Sequence, residues 1–409
     1  MKKSNTTYLT LPSGIRMVHR TVASPVSYIG IMVGTGTRDE QVRCNGMAHY
    51  IEHCVFKGTK TRNARQIIDR IEGVGGEINA YTTKEETTFY IAIENRYIKR
   101  AIELLTDMLF NPAFPKEETD KELQVIFDEI DSYEDSPSEL IYDDFEALLF
   151  ANHPLQNPIL GTRKSLRNIS LRNVREFMQL HYTADRIVFF AQSAVSATRI
   201  FNLATPYLSS IPYNSNAPLH EQPREVTSQI VSFHKHTHQT HIMLGARAYP
   251  IGHDKQICFY LLNNILGGGS LNSRLNLCLR EQHGLVYTIE STYTPLSDTG
   301  YFSVYLASEP QHTDQCIDLV MKELQALKKQ ALSSAELHRS IRQLHGQMAI
   351  SAENRENEAL AMAKLMLYHN EAPLWQHTFK QIEQLTAAQL QDVANEIFNF
   401  DKICMLQYI

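Results

Sequence analysis

The second half of this chain replays the first. The stretch Val174–Ile187, ending His181-Tyr182-Thr183-Ala184-Asp185-Arg186-Ile187, matches Leu390–Ile403, ending Ile397-Phe398-Asn399-Phe400-Asp401-Lys402-Ile403, at a constant displacement of 216 residues. Ile102-Glu103-Leu104-Leu105 matches Ile317-Asp318-Leu319-Val320 at 215. Two matches at nearly one offset mark a duplicated unit of about 200 residues. Whatever topology the first copy adopts, the second is expected to repeat. The seam is placed in 209–218, where Pro, Ser and Asn gather as they do in linkers. The expected division is a first domain over 1–210, a linker over 211–224 and a homologous domain over 225–409.

Apolar patterning supplies the class of each copy. Thr7–Leu11 and Ile15–Arg20 read as two strands about the turn Pro12-Ser13-Gly14, and Ser27–Gly34 as a third strand apolar enough to be central. A helix is expected over about 63–73, ending at Gly75-Gly76, followed by strands at 77–83 and 87–93. Helices follow near 97–110 and 116–134. The fold class is therefore α+β, two duplicated domains, each a mainly antiparallel sheet packed with helices. The long helical run at about 334–369 is expected on the second sheet.

The remaining composition narrows the function classes. A formal charge of −6 gives no reason to expect nucleic acid or an anionic membrane surface as partner. Two lysines open the chain without an apolar run behind them, so no secretion signal is read there. Nothing approaches the roughly 18 apolar residues of a membrane span, and a cytoplasmic location is expected. The cysteines at 44, 54, 258, 278, 316 and 404 show no paired spacing and read as reduced thiols, mostly in the core. Cys54 alone, beside the motif described next, is a candidate for oxidation.

One pentapeptide carries chemistry. His49-Tyr50-Ile51-Glu52-His53 lies between Asn45, a cap-type residue, and Gly58, so it reads as a short helix. Residues four apart share a helix face, so His49 and His53 can offer two imidazoles to one metal with Glu52 beside them. With seventeen histidines in the chain, such a pentapeptide can arise by accident, and a third ligand decides the reading. The 116–134 helix has apolar positions 123, 126, 127 and 130 on one face, with Glu122 and Glu129 two turns apart on one side. By spacing alone any acid between 117 and 134 is a candidate. At the displacement of 216, His49, Glu52 and His53 fall on Ile265, Gly268 and Gly269, so the second copy has no such site.

Together these residues resemble the insulinase/pitrilysin family of inverted zinc peptidases. In length the chain is similar to bacterial homologues of the mitochondrial processing peptidase β subunit. The resemblance rests on His49-x-x-Glu52-His53 with Glu129 following inside Val125–Ile130. It extends through Gly34–Glu40, Gly76–Thr82, His153–Gly161, Gly267–Leu275 and Leu279–Tyr287. It implies that His49, His53 and Glu129 hold one Zn²⁺ per chain and that Glu52 is the general base for the zinc-bound water. It also implies that Glu122 orients a histidine ligand. Asn79 and Ala80 would lie on an edge strand that pairs with an extended substrate. Arg280 and Tyr287 would grip the substrate backbone from the second domain, the tyrosine near the developing oxyanion.

The activity implied is a zinc metalloendopeptidase acting on unstructured peptides inside a dimeric chamber. Because this chain carries both the zinc motif and the Arg/Tyr pair, a homodimer with shared active sites is expected. Two other functions compete: a non-catalytic scaffold subunit of the same fold, and a catalytic subunit that needs a heterologous partner. Two further stretches are read as structural. The run Gly267-Gly268-Gly269 lacks the Lys-Ser/Thr of a phosphate loop and is expected to be a close backbone approach at a helix end, or the substrate-side loop that the resemblance implies there. His234, His236 and His238 alternate as on a polar strand edge.

Overall fold

The computed structural model describes residues 5–214, 220–235 and 237–409. The first half runs β1 (Thr6–Thr10), β2 (Arg16–Thr21), β3 (Val26–Val33), α1 (Met47–Val55), α2 (Ala64–Glu72), β4 (Glu77–Thr82) and β5 (Thr87–Glu94). It continues with α3 (Ile98–Phe110), α4 (Lys116–Glu134), α5 (Pro137–Leu149), α6 (Arg163–Arg167), α7 (Leu171–His181), β6 (Ile187–Ser193) and α8 (Ala197–Leu208). The second half opens with β7 (Ile230–Phe233), β8 (Thr240–Ala248), α9 (Gln256–Gly267), β9 (Val286–Pro295) and β10 (Gly300–Ser308). It closes with α10 (Thr313–Lys329), α11 (Ser334–Ser351), α12 (Arg355–His369), α13 (Trp375–Ile382), α14 (Ala387–Ile397) and β11 (Cys404–Tyr408).

The duplication is visible strand by strand. The first sheet has the order β1-β2-β6-β3-β5-β4 and the second β7-β11-β8-β10-β9. Dropping β1, the two orders superpose one to one, including the parallel pairs β2/β6 and β7/β11 among otherwise antiparallel neighbours. Both pairs of matching sequence segments fall on matching elements. Val174–Ile187 spans α7 into β6, Leu390–Ile403 runs along α14 to the edge of β11, and the shorter pair lies in α3 and α10. The α+β class is therefore the observed one, and β3 is central as its apolar run requires. At the turn before β2, Gly14 holds φ +99, which L side chains rarely adopt.

Each sheet is covered on both faces, and here the domain boundaries depart from a simple cut at the seam. The chain forms two compact units that are discontinuous in sequence. One comprises the described residues up to Asp131, Asn157–His220 and Ser351–Leu374, and the other Ser132–Gln156, Glu221–Ile350 and Trp375–Ile409. The expected linker, 211–224, includes 215–219, which lie outside the described residues. In the first unit one sheet face packs on α1, α2, α3, α7 and α8 through residues such as Ile29, Ile31, Ile51, Phe89 and Leu105. Its other face, carrying Val18, Met32, Tyr90, Val188 and Phe190, is covered by Ala359, Met362, Ala363 and Met366 of α12. In the second unit α5 does the same, placing Ile141, Phe145 and Leu149 against Met243, Tyr305 and Leu406.

The expectation that 334–369 packs on one sheet is thus corrected. α11 does lie in the second core, through Leu337, Ile341 and Leu344, but α12 belongs to the first unit. Its apolar residues fall at intervals of three and four, one stripe of a helix, and a stripe does not say which sheet it will cover. Burying two methionines contributes roughly 3–6 kcal/mol, comparable to the whole stability margin of a domain, so α12 is integral to the unit.

Polar contacts fix its register. Arg20 Nη1 pairs with Glu358 Oε1 at 2.9 Å, and Gln192 donates to the other oxygen of Glu358 at 2.6 Å. Tyr90 donates to Glu356 at 2.7 Å, and Lys364 and Tyr368 both reach Glu86 in the β4–β5 loop at 2.6 Å. Arg20 is almost fully buried and Glu358 partly so. Glu358→Ala removes the carboxylate from a guanidinium that still donates to Thr6 and to the Ala372 carbonyl, and the expected cost is roughly 2–3 kcal/mol, the low side for a buried pair because those bonds remain and Glu358 keeps some water. Urea denaturation checks this, and a loss under about half a kcal/mol would show that the pair does not anchor α12.

Candidate metal centre

The site is built on α1, a helix of nine residues. Gly46 is its N-cap and holds φ 90, and a Cβ there would lie 2.7 Å from the Leu160 carbonyl oxygen. Asn45, expected as the cap, is not one: its amide donates to Glu40 and to the Pro158 carbonyl. Gly46 has no side chain to cap with, and Glu40 takes over the task from outside the helix. Its carboxylate accepts from the backbone N–H of Gly46 at 2.8 Å and of Ala48 at 2.7 Å. Burial pushes the Glu40 carboxyl up, while the three N–H donors favour its anion at the positive end of the helix. Ile51, Cys54 and Val55 pack into the core, leaving His49, Glu52 and His53 on the side toward α4 and β4.

Three expected ligands come together. His49 Nε2 lies 3.8 Å and His53 Nε2 3.7 Å from Glu129 Oε2. The three donor atoms fall within 4.8 Å of one another, and theirs is the one such group found among the described residues. Metal bonds of 2.0–2.2 Å in tetrahedral geometry set ligand atoms about 3.4 Å apart, and the two separations from Glu129 Oε2 lie within a few tenths of an ångström of that. The donor set, two imidazoles and one carboxylate with a further position left for water, is that of a catalytic zinc. Burial, aided by the neighbouring His53, pushes His49 down to about 3, so it stays neutral, the form that ligates a metal.

The ligands are held differently. His53 Nδ1 hydrogen-bonds Glu122 Oε2 at 3.1 Å. A carboxylate only accepts, so Nδ1 carries the proton and Nε2 faces the ligand cluster with its lone pair. Glu122 is buried, and its second oxygen meets Lys57 Nζ at 2.8 Å. His49 Nδ1 is buried without a hydrogen-bond partner among the described residues, so packing among them orients that ring. Glu129 stands on α4, which Ile126, Phe127 and Ile130 anchor to the core, and its carboxylate is 44% exposed.

Glu52, the expected base, is half-buried and accepts from Thr82 Oγ1 at 2.6 Å. Burial raises its pKa, the Thr82 hydrogen bond and His53 oppose this, and Glu129 adds to it. Asn79 and Ala80 lie on β4, the last strand of its sheet, opposite Tyr90 and Phe89 of β5. The far edge of β4 has no neighbouring strand among the described residues, so its backbone groups are available to an extended chain. Thr82, two residues beyond Ala80, points to the same face, and this is how the edge strand touches the base.

In the second unit Arg280 and Tyr287 also meet. Arg280 sits in the π-helical stretch Asn276–Gln282 and Tyr287 on β9, the outer strand of that sheet. The guanidinium lies 5.4 Å from the centre of the tyrosine ring, which is 80% exposed. Gly267 ends α9 beside Ser291, a close approach as expected. Two side readings change. Cys54 is fully buried and burial pushes its thiol up to about 12, so it is no site for oxidation. β7 stops at Phe233, before His234 and His238, and His236 lies outside the described residues. All six cysteines are buried and free.

Sequence reasoning missed Glu40, Lys57 and Thr82. Lys57 lies four residues after His53, a helical spacing that was legible. Glu40 carries no local signal, since its contact depends on how the chain folds back before α1.

Known proteins resemble this chain along nearly its whole length. The family model described as insulinase (peptidase family M16) matches residues 16–163, and that described as peptidase M16 inactive domain matches 168–344. The uncharacterized zinc protease YmxG of Bacillus subtilis is 30% identical over 96% of this chain and 95% of its own length. An uncharacterized zinc protease of Mycobacterium tuberculosis is 29% identical over 95% of this chain and 90% of its own. The chain belongs to the insulinase family of peptidases, family M16. The same fold is seen in a protease from Helicobacter pylori, with TM-score 0.93 and 22% identity over 99% of this chain and 100% of that one. A peptidase M16 inactive domain from Pseudomonas fluorescens gives TM-score 0.91 and 20% identity, covering 99% and 97%.

The Glu40 carboxylate is the contact on which α1 depends most. Glu40→Ala leaves two buried backbone N–H groups unpaired, at roughly 1–3 kcal/mol each. A fall in thermal midpoint of several degrees is expected together with a lower zinc content after dialysis. A variant that melts and retains zinc like the parent would remove Glu40 from the account.

Proposed function

We propose that this chain is a zinc-dependent metallopeptidase that hydrolyses peptide bonds in unstructured peptides. The observation that carries the reading is the convergence of His49, His53 and Glu129 donor atoms beside Glu52, next to an open strand edge. Relatives that match nearly the whole chain bear the name zinc protease, which supports it. Zinc held by His49, His53 and Glu129 would acidify a water and polarise the scissile carbonyl.

The chain's own residues supply the rest. Glu52 accepts a proton from the attacking water and delivers it to the leaving amine. Thr82 holds Glu52 Oε2, leaving Oε1 for that exchange. The free edge of β4, at Asn79 and Ala80, takes the substrate backbone as an added strand, which suits extended peptides and discriminates weakly by side chain. A folded substrate offers no free strand, so unstructured chains are favoured. A purely structural subunit has no need of the neutral buried imidazole, the oriented His53 and the half-buried base together.

We propose further that Arg280 and Tyr287 act on the substrate backbone and carbonyl oxygen bound at the zinc centre of a second copy. Support comes from the pair standing together and exposed on one chain that also holds the full metal set. Donors aimed at a developing oxyanion contribute about 3–4 kcal/mol each in other hydrolases.

Two tests follow. Glu52→Gln should lower cleavage of a mixed peptide library by at least about 100-fold while zinc content stays that of the parent, both read by mass spectrometry. Unchanged cleavage would sink the mechanism. Mixing inactive His49→Ala protein with inactive Arg280→Ala/Tyr287→Phe protein should restore part of the activity through hybrid dimers. Subunit exchange without recovery would instead place the working pair within one chain or on a different partner.

A further inference from the structure

Lys57 had no part in the first reading of the site, yet it is the cation paired with Glu122, the residue that orients the ligand His53. It lies just past the end of α1, four residues after His53, and its Nζ meets Glu122 Oε1 at 2.8 Å while Glu122 Oε2 meets His53 Nδ1 at 3.1 Å. Lys57, Glu122 and His53 thus form a chain of charge-assisted hydrogen bonds that ends at the Nε2 facing Glu129.

Resting on the metallopeptidase reading, we infer that Lys57 is a positioning residue that sets the zinc affinity of this site through Glu122. Three observations support it. The Glu122 carboxylate is 9% exposed, so water does little to orient it, and its two oxygens are divided between His53 and Lys57. Without Lys57 a buried carboxylate keeps one oxygen unpaired and can rotate, releasing the His53 ring from the orientation in which Nε2 faces the cluster. Charge points the same way. Glu52, Glu122 and Glu129 place three carboxylates around two imidazoles, one more negative charge than a divalent ion cancels, and the ammonium of Lys57 balances it. The contrast with His49, whose Nδ1 has no partner among the described residues, shows that orientation by hydrogen bonding has been concentrated on one of the two rings.

The test is zinc affinity, measured on the purified full-length protein by competition against a fluorescent chelator. Lys57→Met keeps most of the aliphatic stem and should bind zinc about 10–100-fold more weakly, while the metal-free protein stays folded and melts a few degrees lower for the lost ion pair. Lys57→Arg retains a donor to the carboxylate and should recover affinity to within a few-fold. Because Lys57 acts through Glu122, Lys57→Met/Glu122→Gln should bind no more weakly than Glu122→Gln alone. The cobalt-substituted protein should show an altered visible absorption band in Lys57→Met and the parental band in Lys57→Arg. Parental zinc affinity in Lys57→Met, or losses that add in the double variant, would overturn the inference and leave the metallopeptidase reading standing. A parent protein that binds no zinc would overturn both.

Discussion

A nine-residue helix does not hold its shape in water by itself, since isolated helices below about 12–15 residues are marginal. The site depends on one that is held from outside. Glu40 grips the first turn of α1 through two backbone N–H groups, Ile51 and Val55 bury its inner side, and Glu122 meets its last turn through His53. With the axis and the roll of α1 set in this way, His49 and His53 cannot turn independently, and only then does a spacing of four residues amount to a shared pair of donors. The motif names the residues, and the clamp around it makes them a site.

The duplication explains why the second half matters to a centre whose ligands all lie in the first. The displacement of 216 carries Pro137–Leu149 onto 353–365, within a few residues of α12, so α5 and α12 are repeats of one helix. Each covers the outer face of the sheet belonging to the opposite copy, and the exchange is reciprocal. Through Lys364 and Tyr368, α12 holds Glu86 in the loop after β4, and β4 presents Thr82 to Glu52. A helix encoded some 300 residues downstream therefore supports the strand that steadies the base. In the second copy Ile265, which packs in that core, stands where His49 stands in the first, and Gly268 and Gly269 replace Glu52 and His53.

Much of this was legible before any coordinates. The strands about Gly14, the central β3 and the helix pair after β5 follow from alternation, helical spacing and turn residues, all of them local signals, and the repeat from matching segments 216 residues apart. His49, Glu52 and His53 were legible for the same reason, whereas Glu129 needed a family resemblance because spacing alone left every acid of α4 open. What was not legible is non-local. The stripe Ala359, Met362, Ala363 and Met366 does not specify its sheet, although the reciprocal position of α5 in the repeat held a clue. Glu40 acts across a chain reversal, and Thr82 reads as an ordinary strand residue until β4 is laid beside α1.

The three carboxylates around the histidines illustrate how one residue type is divided among tasks by its surroundings. Glu122 is buried and pinned at both oxygens, so it can orient but cannot exchange protons with a reacting group without breaking a contact. Glu129 is the most exposed, sits on a different helix from the histidines and has no Lys or Arg partner among the described residues, so an ion bound there ties α4 to α1. Glu52 is between the two: burial raises its pKa toward the range where a base can return its proton, and only one of its oxygens is committed, to Thr82. Position relative to α1 and β4, more than the motif's letters, assigns each its part.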